Sequence, residues 1–383
     1  MIYFLLICFC FASHYIFNAI HCKYRFVFQK AVVLITALFL CCGYMTGTDW
    51  RLYEESYQWM SPDTFFSTIL FWEPGFTVYT SVFHFLGIDF WHYLIFTKLL
   101  TFYIFIWALN KYCKKSFFFL ALTFFISLYG FFFWIDNPLR NLMAYALFLL
   151  SLPALLERKM WKYMGTIAIA TMFHYSAVVL IPLYWLLASR VKTGTIVVTY
   201  ILFSIVFLKA EVIFLLIDLL FGWFPVISNK LMIYSDYVGD RAGKLFSFGF
   251  ILHNVFFILI LLSRKRIENL KYGTLLFNSA ILYVFLFRVG LTFSVFMRFA
   301  MFLALLYSIA VIYVLCNLER KSKKLYTLYL FIAVLLVAWI SLRKDSRYIP
   351  YSSYLSYLFQ DKPDYNSRYY YNDEHSPYPS LYQ

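Results

Sequence analysis

Residues 320–342 read RKSKKLYTLYLFIAVLLVAWISL, four cations followed by an uncharged run from Leu325 to Leu342. A helix needs roughly 20 mainly apolar residues to cross the hydrocarbon core of a bilayer, and Lys and Arg collect at the cytoplasmic end of such helices. The segment is therefore read as a spanning helix that starts inside. Outward from it, the same alternation of basic turn and apolar run recurs back to Ile2, with spans expected near 31–46, 90–110, 116–134, 139–156, 246–262, 273–291, 294–316 and 325–342.

The composition agrees, with 63% apolar residues and a mean hydropathy of +0.72, where soluble domains have an apolar share near half. The net charge of +14 does not indicate a nucleic-acid partner, because 17 of the 33 basic residues lie in five short segments between apolar runs. These are Lys23/Arg25/Lys30, Lys111/Lys114/Lys115, Arg158/Lys159/Lys162, Arg264/Lys265/Arg266/Lys271 and Arg320/Lys321/Lys323/Lys324. All five are expected inside. The run Ile2–Ile20 has neither a basic stretch before it nor a cleavage site after it, so it is expected to be retained, with the mature chain starting near Met1. The seven cysteines form no CxxC pair, and neither a disulfide nor a zinc site is expected.

The expectation is an all-α polytopic membrane protein of about 11–12 transmembrane helices plus a re-entrant or interfacial helix at Pro74–Leu86, which is too short to span. Residues 1–342 form a single bundle with external loops 47–89 and 225–245. Residues 343–383 form an external polar tail rich in Tyr and Pro, its later half partly disordered. Two places stay open: 163–187 is one span or two half-helices around His174, and 211–223 is a short span or an external helix.

Phosphate-binding Gly loops, GxSxG, HExxH and DxD are all missing from the sequence, so chemistry must come from scattered polar residues. Asp49, Arg51, Tyr53, Glu54, Glu55, Glu73 and Arg140 converge on the external side. Asn137-Pro138 reads as a helix cap with proline at the first helical position, which puts Arg140 in the first turn. A cation there opposes the helix dipole by about 0.3 to 1 kcal/mol, so a local stabilising role explains it poorly. With the free N–H groups it makes an anion site; an arginine reaching to lipid phosphates is the alternative. Arg288 and Arg298 flank an external turn and require a partner, either a diphosphate or a carboxylate such as Glu73. His174, inside an apolar run, is an interhelical hydrogen-bonder or an acid/base.

Four ordered motifs carry a family resemblance: Gly47-Thr48-Asp49 with Tyr53, Glu73-Pro74-Gly75-Phe76, Arg140-Asn141-Leu142-Met143-Ala144 and Phe173-His174-Tyr175-Ser176-Ala177. Arg298-Phe299 and Pro350-Tyr351 follow in order. Over roughly 45–355 the chain resembles the EpsG family, a branch of the Wzy-type polysaccharide polymerases. It departs in Asn141, where the family usually has Gln, and in lacking an arginine shortly before Gly47.

The resemblance implies a polymerase of polyprenyl-diphosphate-linked oligosaccharide repeat units, making a surface polysaccharide such as an O-antigen, capsule or exopolysaccharide. The carrier lipid is undecaprenyl diphosphate. It further implies a fold akin to the lipid-linked (GT-C-like) glycosyltransferases in the bacterial inner membrane, an external reaction, and no metal or cofactor. A chain-length regulator and a flippase are the protein partners it suggests. On this reading Asp49, Glu73 and His174 are the catalytic candidates and Arg140, Arg288 and Arg298 the diphosphate ligands, with Tyr53, Asn141 and Arg241 contacting substrate. A flippase of lipid-linked sugars, or another membrane glycosyl or acyl transferase, is the competing reading; a transporter should carry polar residues through both halves of the membrane, whereas the cytoplasmic halves here read as apolar.

Overall fold

The computed structural model describes residues 2–61, 67–69, 72–207, 215, 219, 247–293, 295–343 and 345–376. Arg241 and the segments 211–223 and 225–245 lie outside the described residues, apart from isolated positions in the first segment. The protein is an all-α polytopic membrane protein: 80% of the described residues are helical, and the described strands are one antiparallel pair, β1 (Gly43–Tyr44) with β2 (Ser352–Ser353).

Six described helices are long and apolar enough to cross a membrane: α1 (Ile2–Ala19), α2 (Cys22–Cys41), α5 (Phe90–Tyr112), α7 (Leu139–Leu156), α11 (Gly273–Gly290) and α14 (Arg320–Leu342). Between them lie α3 (Asp49–Gln58), α4 (Pro74–Phe85), α6 (Phe118–Phe125), α8 (Met160–Phe173), α9 (Thr193–Val206), α10 (Phe248–Leu262), α12 (Val295–Phe302) and α13 (Ala304–Tyr313); α15 (Tyr365–His375) is the last described helix. Contacts divide them into two compact units, 1–184 with 321–383, and 185–320. The sequence reading of 1–342 as a single bundle makes no such division.

In the first unit α7 is the central helix, with 72% of its apolar window buried against 28% for α2, so its side chains face other helices rather than lipid. The helix before it ends in two π-helical stretches, Ile126–Gly130 and Phe132–Asp136, and stops at Asn137, which adopts the left-handed conformation at φ 65°. This corrects the expected cap. Asn137 terminates the preceding helix and donates its side-chain amide to the Thr46 carbonyl, while Pro138 stands in the cap position of α7. Arg140 nevertheless falls in the first turn, as expected.

The region 163–187 takes the broken form. α8 ends at Phe173, His174 is extended (φ −157°, ψ 117°), and a 3₁₀ segment runs from Tyr175 to Leu180. α4 is a helix of 12 residues, too short to span, that packs against α8. A Cβ on Gly75 would stand 2.9 Å from both the Cβ and the carbonyl oxygen of Met172, so only glycine permits this approach.

Within the later half of the tail, residues 365–375 form a helix, while 377–383 lie outside the described residues. α15 is held to α3 by ion pairs from Arg51 to Asp373 (3.3 Å) and from Arg368 to Glu54, with the Arg51 guanidinium over the Tyr369 ring. Asn372 donates to the Ser346 carbonyl. The second unit, α9 to α13, holds another correction: the expected continuous span 294–316 bends by 63° at Leu303. Its interior joins His253 Nδ1 to the Tyr307 hydroxyl at 2.6 Å, with Tyr307 stacked on Tyr283.

Candidate functional site

Glu73 is the residue around which the polar side chains of the first unit gather. It stands at the cap position of α4, and Pro74, with its preset φ, starts the helix after it. The Glu73 carbonyl accepts from the Thr77 backbone and hydroxyl, leaving the carboxylate free to turn toward its neighbours. Oε2 accepts from Arg140 Nη1 at 2.7 Å, and Oε1 accepts from His174 Nδ1 at 3.0 Å and from the Tyr175 backbone N–H at 3.4 Å. The carboxylate is 3% exposed. At that burial an unpaired charge would be untenable, and the Arg140 guanidinium together with the His174 and Tyr175 hydrogen bonds keeps it there.

Burial alone would raise the Glu73 carboxyl; the hydrogen bonds from His174 and Arg140, with the guanidinium charge, outweigh it and hold the group at about 2. Glu73 is therefore ionised at neutral pH and can only accept. A proton of His174 therefore sits on Nδ1, facing Glu73 Oε1. The break in the helix at His174 provides this geometry: an extended residue swings the ring out of the α8 path toward α4, whose approach Gly75 allows.

Arg140 is held by three groups. Nη1 is on Glu73, Nε donates to the Tyr53 hydroxyl at 3.5 Å, and the guanidinium plane lies 4.4 Å from the Trp72 ring centroid. Nη2 makes no hydrogen bond among the described residues, and the side chain is 28% exposed. The fork is thus fixed at one edge and open at the other. Tyr53, on α3, has its hydroxyl pushed up to about 12, chiefly by burial and by Asp49, against the pull of Arg140. It is a neutral hydroxyl at any physiological pH.

Behind α3 lies a second cluster. Gly47, at φ 81°, lets the loop lie against the end of the π-helical stretch: a Cβ there would meet the Ile135 carbonyl oxygen at 2.5 Å. Asp136 accepts from the Thr48 backbone and hydroxyl and pairs with Arg347 Nη1 at 2.8 Å; Arg347 in turn pairs with Asp345. Asp49 is half-buried at the start of α3 and accepts from Thr48 Oγ1 at 3.5 Å.

Of the residues singled out from sequence, Glu73, His174, Arg140 and Tyr53 meet directly, with Asp49 one turn from Tyr53 on α3. Asn141 is buried beside Arg140, its Oδ1 without a hydrogen-bond partner among the described residues. Arg288 is elsewhere, in the second unit. It is 1% exposed and donates Nη2 to the Ser204 and Phe207 carbonyls, at the C-terminal end of α9. These carbonyls are the orphan acceptors of a helix end, which a guanidinium satisfies. The partner suggested for Arg288 and Arg298, Glu73, is taken by Arg140 and His174. Arg298 is exposed on α12.

Trp72, Arg347 and Asp136 were missed as participants. For Trp72, its position directly before Glu73 was the available signal. Nothing in the sequence connects Asp136 to Arg347. Arg51 and Glu54, read as part of one external polar cluster, are spent on α15.

Compared with known families, residues 26–356 match the model of the EpsG family. Comparison with curated proteins and with solved structures gives no match.

Proposed function

We propose, from the premise that the chain belongs to the EpsG family, that it polymerises polyprenyl-diphosphate-linked oligosaccharide repeat units into a surface polysaccharide at the external side of the membrane. The observation that carries this reading is the buried carboxylate of Glu73 gripped between His174 and Arg140. One side of that grip makes a base and the other an anion ligand, the two devices that glycosyl transfer from a diphosphate requires.

In this mechanism His174 Nε2 takes the proton of an acceptor sugar hydroxyl while its oxygen attacks the anomeric carbon of the donor chain. The bond from that carbon to the carrier diphosphate breaks, and its electron pair leaves with the diphosphate. Glu73 stabilises the imidazolium that forms, as a buried carboxylate behind a histidine does. The open edge of Arg140 takes the negative charge of the leaving group, and a preorganised donor of this kind is worth roughly 100- to 1,000-fold in rate. The Trp72 ring and the Tyr53 hydroxyl hold the guanidinium, so that little reorganisation accompanies the step. Asp49 and Asn141 are assigned to sugar hydroxyls, on their placement beside Tyr53 and Arg140.

The test is polymer made per molecule of protein in cells carrying Arg140→Ala, Arg140→Lys or His174→Ala. Each should lower polymer roughly 100-fold, with lysine no better than alanine, because a point charge cannot hold Glu73, Tyr53 and an oxyanion together. Wild-type polymer from Arg140→Lys at equal membrane abundance would remove the diphosphate role.

A further inference from the structure

Far from Glu73, at the opposite ends of α2 and α5, the two helices leave a cleft of about 640 Å³. Its wall is apolar, built from Leu34 and Ala37 on one side and Leu99 and Phe102 on the other. It opens sideways, since Leu34 is 59% and Tyr103 70% exposed. Its far end is polar. Gln29 Nε2 donates to Asn110 Oδ1 at 2.8 Å, tying the helices together at that level, and Lys30 and Lys115 line the same end. No carboxylate is among the lining residues, and among the described residues neither lysine has an ion-pair or hydrogen-bond acceptor; Lys30 lies over the Phe26 ring at 4.2 Å.

We infer that this cleft is a binding site for one anionic glycerophospholipid of the cytoplasmic leaflet, with its phosphate between Lys30 and Lys115 and an acyl chain along the apolar wall. Three arguments lead there. The two unmatched cations sit at the end of the cleft that the basic-segment rule puts inside, where anionic headgroups concentrate and basic pockets between spanning helices hold them. The wall from Lys30 to Ala37 rises about 10 Å at 1.5 Å per residue, which fits within one leaflet of roughly 15 Å. A polyprenyl diphosphate engaged at Glu73 and Arg140 would have its charge at the other membrane face, so the carrier does not match the polarity of this cleft.

The measurement is native mass spectrometry of the full chain released from nanodiscs of equal phosphatidylglycerol and phosphatidylcholine. The wild type should retain one phosphatidylglycerol in preference to phosphatidylcholine. Each lysine is worth about fivefold in affinity for an anionic headgroup, so Lys30→Gln with Lys115→Gln should weaken retention roughly 25-fold, whereas Lys321→Gln with Lys323→Gln should leave it unchanged. Glutamine is chosen because it adds no charge that could invert the topology. Leu99→Trp fills the wall without touching a cation and should also expel the lipid. Equal retention of the two lipids, or undiminished phosphatidylglycerol in both the double glutamine and the tryptophan variants, overturns the proposal. So does displacement of phosphatidylglycerol by polyprenyl phosphate at equal concentration, which would give the cleft to the carrier. None of these readouts involves polymer synthesis, so failure here leaves the proposed reaction standing.

Discussion

At the residue scale the protein turns on one carboxylate. Glu73 is buried and would be raised by that burial, yet His174 and Arg140 hold it at about 2, below the ordinary 4.5. A group depressed on folding contributes stability that is complete above its unfolded value and is lost as pH falls through its folded value. The Glu73 contribution should therefore be whole above pH ~4.5 and gone near pH ~2. Thermal unfolding in detergent checks this: the stability gap between wild type and Glu73→Gln should shrink as pH is lowered from 5 toward 3. A gap independent of pH over that range would mean that Glu73 is not ionised in the fold. Each of Glu73, His174 and Arg140 stands out in the sequence as a charged or titratable group where the chain is otherwise apolar. Their convergence on one carboxylate was not legible, since Glu73 and His174 are 101 positions apart.

At the element scale, short local signals were readable and tertiary compensation was not. Glu73-Pro74-Gly75 announces a helix start, and α4 begins there. The tail reads as polar, Tyr-rich and Pro-containing, and nothing in that pattern announces α15, which is held where Arg368 and Asp373 meet Glu54 and Arg51, more than 300 positions earlier. The bend at Leu303 occurs without Pro or Gly, so no sequence rule flags it. The α3–α15 clasp has a direct test. Removing one partner of a buried ion pair typically costs about 3 to 5 kcal/mol. Glu54→Arg and Arg368→Glu alone should each lower thermal stability by that order, and the two together should recover most of it. Because α3 also carries Tyr53, the single variants should lose polymer as well. A double variant no more stable than either single one would mean that the pair does not hold α15 in place.

At the scale of the whole molecule, the hydropathy pattern decided the class because a bilayer admits so few spanning structures: helices satisfy their own backbone groups, and 80% of the described residues are helical. The same pattern could not show the division into two units, since periodicity reports which face is apolar and not which helices share it. Nor could it show that Arg288 Nη2 donates to the carbonyls at the end of α9. The chain's central claim is that its chemistry follows arrival of the repeat unit at the outer face. Spheroplasts carrying His174→Ala, with unchanged membrane abundance, test it through the accessibility of the accumulated glycan to an impermeant glycosidase. The account predicts single carrier-linked repeat units that the enzyme digests without permeabilisation; units digested only after permeabilisation, or polymer of normal length and amount, would contradict it.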